Sequence, residues 1–228
     1  MKIFGIDTTT RFFCLGISDN AKIYEYNLDV SRMLSGLITV TIKRVLDSLG
    51  WQIKDIDYFA CGLGPGSFTG MRVGIAAIKG LAFSLNKPVA GIPTLDILAR
   101  NAATLGEYVI PVVDAKRELI YTSIYRNKNN KLYRVEPYLL LTMDELFRKM
   151  KNRGNAVMLG DGADLYKQKI LMNMHDVTIL DKDYWYPQGR NIIALAKERI
   201  SSKKFNKASG IKPVYLYPKE CQIQKVSA

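Results

Sequence analysis

Histidine is almost absent from this chain: His175 is the only one in 228 residues. A single imidazole rules out paired-histidine metal sites of the His-x-x-x-His or His-Glu-x-x-His kind. It also leaves any serine or cysteine hydrolase with His175 as its sole base. His175 stands in Met172-Asn173-Met174-His175-Asp176, beside a strand-like run and far from any nucleophile motif, and reads as a surface residue. Cysteine is scarce too: Cys14, Cys61 and Cys221 are too few and too scattered for a disulfide framework. Cys14 and Cys61 lie in apolar strand-like runs, where a thiol acts as a small buried hydrophobe. The expected setting is reducing and cytoplasmic. Long apolar runs are also missing, and none approaches the roughly 20 residues needed to cross a membrane. The first seven residues read as a strand ending in an acid, not as a signal peptide.

Positive charge is abundant, with a formal net of +12. Residues 1–110 carry 11 Lys/Arg against 9 Asp/Glu, and residues 111–228 carry 22 against 12. A basic second half favours a polyanionic partner through long-range attraction. The cations are dispersed instead of striped, which favours the plainer reading of a solvated lysine-rich surface. Tyr184-Trp185-Tyr186-Pro187 and Lys203-Lys204-Phe205-Asn206-Lys207 mix rings with charge, a composition suited to RNA contact but also to a core edge and a basic loop.

The length fits one large domain or two lobes. Strands are expected at 2–6, 12–18 and 21–28, the first two joined by Asp7-Thr8-Thr9-Thr10-Arg11. Met33, Leu34, Leu37, Ile38, Ile42, Val45, Leu46 and Leu49 recur at helical spacing, so 31–50 is an amphipathic helix stopped by Gly50. A strand at 57–61, a helix at 68–85, a strand at 89–91 and a Thr94-capped helix to 103 follow. At Tyr108 the pattern restarts. An offset of 107 residues lays Asp114 on Asp7 and Leu119-Ile120-Tyr121 on Phe12-Phe13-Cys14. Strands at 118–125, 131–135, 157–159 and 177–180 are expected, with helices at 163–172 and 191–202. Thr142 and Glu145 form a capping box opening a helix to about 151, and 214–216 reads as a last strand. The weak repeat implies two related α/β lobes, 1–107 and 108–228, and excludes a four-helix bundle or a β-sandwich.

Two stretches carry candidate chemistry. In Gly64-Pro65-Gly66-Ser67-Phe68-Thr69-Gly70-Met71-Arg72-Val73-Gly74, glycines allow a sharp turn and close backbone approach, Pro65 fixes one φ, and Ser67 and Thr69 can cap the following helix. Such a helix start is a potential anion site, in which Gly64, Pro65, Gly66, Ser67, Thr69, Gly70 and Arg72 take part, although no Gly-Lys-Ser/Thr of a P-loop follows. The alternative is a tight strand-to-helix turn that binds nothing. The second stretch is Asp7-Thr8-Thr9-Thr10. Two-lobed ATPases of the actin, sugar-kinase and heat-shock class end a strand in Asp-x-Gly-Thr, wrap phosphate with the turn and organise Mg²⁺ through the acid. Here Thr9 replaces the glycine, and a β-branched residue resists positive φ. Asp114-Ala115-Lys116-Arg117 lacks glycine as well. Asp7, Thr8, Thr9 and Asp114 therefore read as degraded phosphate turns.

Taken together, these stretches resemble the TsaB (YeaZ) family, a partner subunit in synthesis of threonylcarbamoyladenosine on tRNA. The resemblance runs from residue 2 to about 216. It rests on Ile6-Asp7-Thr8-Thr9-Thr10, the Gly64–Gly74 string, Lys79-Gly80-Leu81-Ala82, Val113-Asp114-Ala115-Lys116-Arg117 with Tyr121, Gly160-Asp161-Gly162, and Pro213-Val214-Tyr215-Leu216. It implies an α/β, two-lobed actin-like ATPase (ribonuclease H-like) fold with duplicated mixed sheets. It also implies a non-catalytic scaffold that pairs with TsaD through the helices at 31–50 and 70–85. The partner-facing residues would be Leu34, Leu37, Ile38, Ile42, Met71, Ile75 and Ile78. No catalytic residue or metal ligand is assigned to this chain, and ATP or ADP would bind only at the joint interface. TsaE completes the assembly, tRNA is reached through it, and a homodimer through the same helices is an alternative pairing. The family usually carries Arg-x-His-Ser where this chain has Arg32-Met33-Leu34-Ser35, and an arginine where it has Tyr217. The competing readings are an ATP-dependent kinase or ATPase of the same fold, and a glycoprotease, which the histidine count opposes.

Overall fold

The computed structural model describes residues 1–30 and 34–218. Ser31, Arg32, Met33 and Cys221, on which parts of the sequence reading fall, lie outside the described residues. The first half builds a five-stranded sheet from β1 (Lys2–Asp7), β2 (Phe12–Asp19), β3 (Ile23–Asp29), β4 (Tyr58–Gly62) and β5 (Val89–Ile92), in the order β3-β2-β1-β4-β5. Short turns make β1, β2 and β3 antiparallel neighbours. Helices α1 (Leu34–Ser48) and α2 (Phe68–Ser84) precede β4 and β5, so these strands return parallel to β1. Helix α3 (Thr94–Arg100) leaves the sheet after β5.

The second half repeats the plan. Strands β6 (Tyr108–Lys116), β7 (Leu119–Thr122), β8 (Tyr125–Lys128), β9 (Lys131–Arg134), β10 (Leu139–Leu141), β11 (Ala156–Leu159) and β12 (Val177–Ile179) form a sheet ordered β10-β7-β6-β11-β12, with β8 between β6 and β9. Helices α4 (Met143–Met150), α5 (Asp161–Leu165) and α6 (Lys167–Asn173) cover it, and α7 (Gly189–Ser201) ends the series. The Thr142–Glu145 capping box opens α4 as its sequence requires. Two α/β units, each begun by an antiparallel hairpin and continued in parallel strands, make up the two-lobed fold.

Side-chain alternation assigns the layers. Phe4, Ile6, Phe13, Leu15 and Ile17 face α1 and α2, meeting Ile38, Ile42, Leu46, Ile75, Ile78 and Ala82. On the opposite face, Ile3, Cys14, Ala60, Ala90 and Ile92 meet Ile97 of α3 and Ile192, Ile193 and Ala196 of α7. Helix α7 thus belongs by sequence to the second half and by packing to the first sheet, across the division drawn at residue 108. A second core joins Ile110, Val112, Ile120 and Met158 to Leu146, Met150, Ala163 and Ile170. Helix α3 connects the two units: the Asp96 carboxylate accepts from Tyr125 Oη at 2.7 Å and Tyr138 Oη at 2.9 Å.

Several elements differ from the sequence reading for identifiable reasons. The offset of the repeat places Tyr121 opposite Asp114, but a bulge between Asp114 and Lys116 brings Ile120 there and leaves Tyr121 opposite Val113. The expected strand at 118–125 divides into β7 and β8, and the helix at 163–172 divides into α5 and α6 at Tyr166. The three-residue β10 is an addition to the strands expected from the sequence. Residues 214–216 form no strand. Pro213 and Pro218 flank them without N–H donors, and Val214 N–H makes one bond to the Leu63 carbonyl at 2.8 Å.

Ile192 is fully buried under the first sheet. Ile192→Ala is expected to lower unfolding stability by about 2–5 kcal/mol, read as a shifted urea midpoint with an unchanged slope. Exposed Lys43→Ala should stay within about 0.5 kcal/mol of wild type.

Candidate functional site

Strand β1 delivers Asp7 to the interior. Its carboxylate is fully buried and accepts two hydrogen bonds, from Thr9 N–H at 2.8 Å and from the Thr94 hydroxyl at 2.7 Å. Burial raises its pKa from the ordinary 3.8, opposed by these bonds. Thr94 Oγ1 in turn accepts from the Thr9 hydroxyl at 3.0 Å and from Gly64 N–H at 3.1 Å, while Thr94 N–H donates to the Gly64 carbonyl at 2.8 Å. Thr94 is therefore not the cap of α3. Pro93 occupies the cap position, and the Thr94 hydroxyl ties β1, the β4–α2 turn and α3 together.

The glycine-rich string lies directly on this turn. A Cβ at Gly62 would fall 2.0 Å from Asp7 Oδ2, one at Gly66 2.5 Å from the Thr9 carbonyl oxygen, and one at Gly70 2.0 Å from the Thr8 carbonyl oxygen. A Cβ at Gly74 would fall 2.1 Å from Thr8 Oγ1. No side chain fits at such separations, so each glycine records a close approach. Thr8 Oγ1 donates to the Gly70 carbonyl at 2.7 Å, and Ser67 N–H donates to the Thr9 carbonyl at 2.7 Å. Ser67 caps α2 by accepting from Gly70 N–H at 3.2 Å, as its sequence position suggests, and Thr69 is an exposed residue of the first turn. The two stretches read separately in the sequence are thus halves of one interlock. Thr9 N–H and C=O are both taken by protein partners within it.

The companion turn is built differently. Asp114 N–H donates to Asp161 Oδ1 at 3.0 Å, and the Asp114 carboxylate accepts from Lys116 N–H at 2.8 Å and pairs with the Lys116 ammonium. Burial raises the Asp161 pKa. Lys116, Arg117 and Glu118 have φ of 64°, 53° and 59°, a left-handed run of non-glycine residues. Tyr217 holds this run from outside by donating to the Ala115 carbonyl at 2.8 Å, with its ring 6.1 Å from that of Tyr121. Burial pushes the Tyr121 phenol up to about 12. Between the two turns lies a cleft of about 1400 Å³, lined on one side by Thr9, Gly66 and Ser67 and on the other by Asp114, Arg117 and Asp161.

Most of the expected partner-facing side chains point inward. Ile38, Ile42, Met71, Ile75 and Ile78 are buried, and Leu34 and Leu37 are half-buried against the same core. Both helices carry more apolar residues than one stripe needs, and their isoleucines go to the sheet. The apolar side chains left outward are Val40 on α1 and Phe68, Ala76 and Phe83 on α2, with Gly36 and Gly80 beside them. Arg72 is exposed, and Gly64, Pro65 and Gly70 are buried. His175 is exposed, and no three of His, Cys, Asp and Glu gather into a potential metal site among the described residues. The roles of Thr94, Asp96 and Tyr217 leave no local pattern in the sequence, because their side-chain bonds span 29 to 102 residues.

The interlock generates two predictions. Gly70→Ala drives a methyl group into the Thr8 carbonyl and should destabilise the fold by about 1–3 kcal/mol or more in chemical denaturation. The raised pKa of Asp7 means that the folded state binds the extra proton between pH 3.8 and the native value, so this group's contribution falls as pH rises through that window. Stability measured from pH 4 to 7 should therefore decline more for wild type than for Asp7→Asn, and parallel curves would contradict this assignment.

Comparison with known proteins agrees with this geometry. Residues 28–216 match the family model described as TsaD, tRNA N6-adenosine threonylcarbamoyltransferase. The tRNA threonylcarbamoyladenosine biosynthesis protein TsaB of Bacillus subtilis is 30% identical over 174 residues, covering 75% of each chain. Its Escherichia coli counterpart is 26% identical over 227 residues, 95% of this chain and 94% of that one. YeaZ from Pseudomonas aeruginosa superposes with a TM-score of 0.81 at 23% identity over 94% of this chain and 99% of its own, and shares the fold. By sequence match and by architecture, the chain belongs to the TsaB (YeaZ) family.

Proposed function

We propose that this chain is the scaffold subunit of the machinery that makes threonylcarbamoyladenosine on tRNA, pairing with a TsaD-type catalytic partner through α1 and α2. The observation that carries the reading is the outward side of these helices. A Cβ at Gly36 or Gly80 would meet nothing within 4 Å, Val40 is 47% exposed and Phe83 is 81% exposed. Missing side chains let a partner helix approach closely, and an exposed ring beside them supplies the buried anchor that stable interfaces use. On this reading the partner transfers the threonylcarbamoyl group from its adenylate to adenosine beside the anticodon. ATP or ADP sits at the joint surface, TsaE joins as the small ATPase, and tRNA is reached through the assembly. Without the catalytic partner, two copies meet isologously through the same face.

The interlock supports a scaffold over an independent kinase. The Thr9 backbone is occupied by Asp7 and Ser67, and Thr8 and Thr9 are packed under the helix glycines. The test is co-elution with the organism's TsaD-type protein. Val40→Glu and Gly80→Trp alter exposed positions, should leave the melting temperature unchanged, and should weaken pairing at least about tenfold. Undiminished co-elution of both variants would refute the use of this face. Ile38→Glu is unsuitable as a probe, because Ile38 is 4% exposed and a carboxylate there would disrupt the core.

A further inference from the structure

Packing accounts for Gly66, Gly70 and Gly74, and capping accounts for Ser67, but neither accounts for Phe68 and Arg72. Phe68 is 40% exposed on the first turn of α2, and the Arg72 guanidinium lies over its ring, 3.8 Å from the centroid. Arg72 Nε donates to Tyr215 Oη at 3.2 Å, and the Tyr215 ring stands 5.7 Å from that of Phe68. The segment bearing Tyr215 is itself fixed, by Val214 N–H on the Leu63 carbonyl at 2.8 Å and by Ile211, 3% exposed, in the core. An exposed arginine is thus held by the Phe68 face and the Tyr215 hydroxyl before any ligand arrives. Its Nη atoms make no hydrogen bond and no ion pair among the described residues.

We propose that Arg72, positioned by Phe68 and Tyr215, is a specificity anchor that grips a carboxylate on the protein partner of α2. This rests on the reading of α2 as a pairing surface. Phe68, Arg72, Ala76, Gly80 and Phe83 follow one another at helical spacing along the exposed side, so the anchor is continuous with the face assigned to the partner. That stripe is uncharged apart from Arg72. A polyanion such as RNA is held by several cations spaced along its backbone, whereas one fixed guanidinium in an apolar stripe matches a single acidic side chain. The planar fork suits bidentate carboxylate binding, and its prior immobilisation lowers the ordering cost of association.

Calorimetric titration of the full-length chain with the organism's TsaD-type protein tests this at low and high salt. Arg72→Ala should weaken binding about 30-fold or more and flatten its salt dependence. Arg72→Lys, which keeps the charge and loses the fork, should recover only part of the affinity. Phe68→Ala and Tyr215→Phe should show smaller losses, with melting temperatures unchanged. Unaltered affinity of Arg72→Ala while Val40→Glu abolishes pairing would overturn the anchor and leave the pairing face intact. Failure of the wild-type chain to bind would overturn both. A loss confined to tRNA binding by the assembled complex, or to self-association of this chain, would also overturn the carboxylate assignment.

Discussion

A carboxylate sealed from water must find donors, and Asp7 finds them in Thr9 N–H and the Thr94 hydroxyl, which lies 87 residues away. Hydrogen bonds from Thr9 and Thr94 oppose the desolvation that raises the pKa of this acid. The constraint propagates outward. Thr94 must reach Asp7, which fixes the start of α3; α3 carries Asp96, which receives two tyrosines from the second unit. Gly62 admits the Asp7 carboxylate, and Gly66, Gly70 and Gly74 admit Thr8 and Thr9, which fixes how α2 leaves the sheet.

The same arrangement redirects the function of an inherited architecture. The Asp-containing turn at the end of β1 borders the cleft between the units, where a phosphate-binding turn would stand. Here its central threonines bond inward, and their neighbours are backbone atoms of α2. The chemical surface of the molecule then lies elsewhere, on the outward sides of α1 and α2, where small residues and an exposed phenylalanine stand beside a preset arginine. This distribution is the ground for proposing a subunit that offers shape and orientation while its partner supplies the reacting groups.

Much of the fold was legible in the sequence because its signals are local. Alternation marked β1 and β2, helical spacing marked α1, and Thr142 with Glu145 marked the start of α4. The duplicated hairpin showed that there were two related units. Where inference went astray, the deciding contact was remote. Nothing near Thr94 distinguishes a helix cap from a ligand of Asp7. Helical spacing on α1 and α2 does not say which apolar residues meet the sheet, and the sheet takes Ile38, Ile42, Ile75 and Ile78, which the family resemblance placed toward the partner. The bulge after Asp114 moved the second hairpin by one residue from its repeat. The glycine string stands out in the sequence, but its reason lies in the Asp7–Thr9 turn near the start of the chain.

The central claim is that the Asp7–Thr10 turn is occupied by the protein itself. Backbone amide NMR of the purified chain, titrated with ATP and Mg²⁺, addresses it directly. The account predicts that the signals of Thr8, Thr9, Ser67 and Gly70 stay in place at saturating nucleotide. Saturable, concordant displacement of those four resonances would show an open phosphate cradle and contradict it.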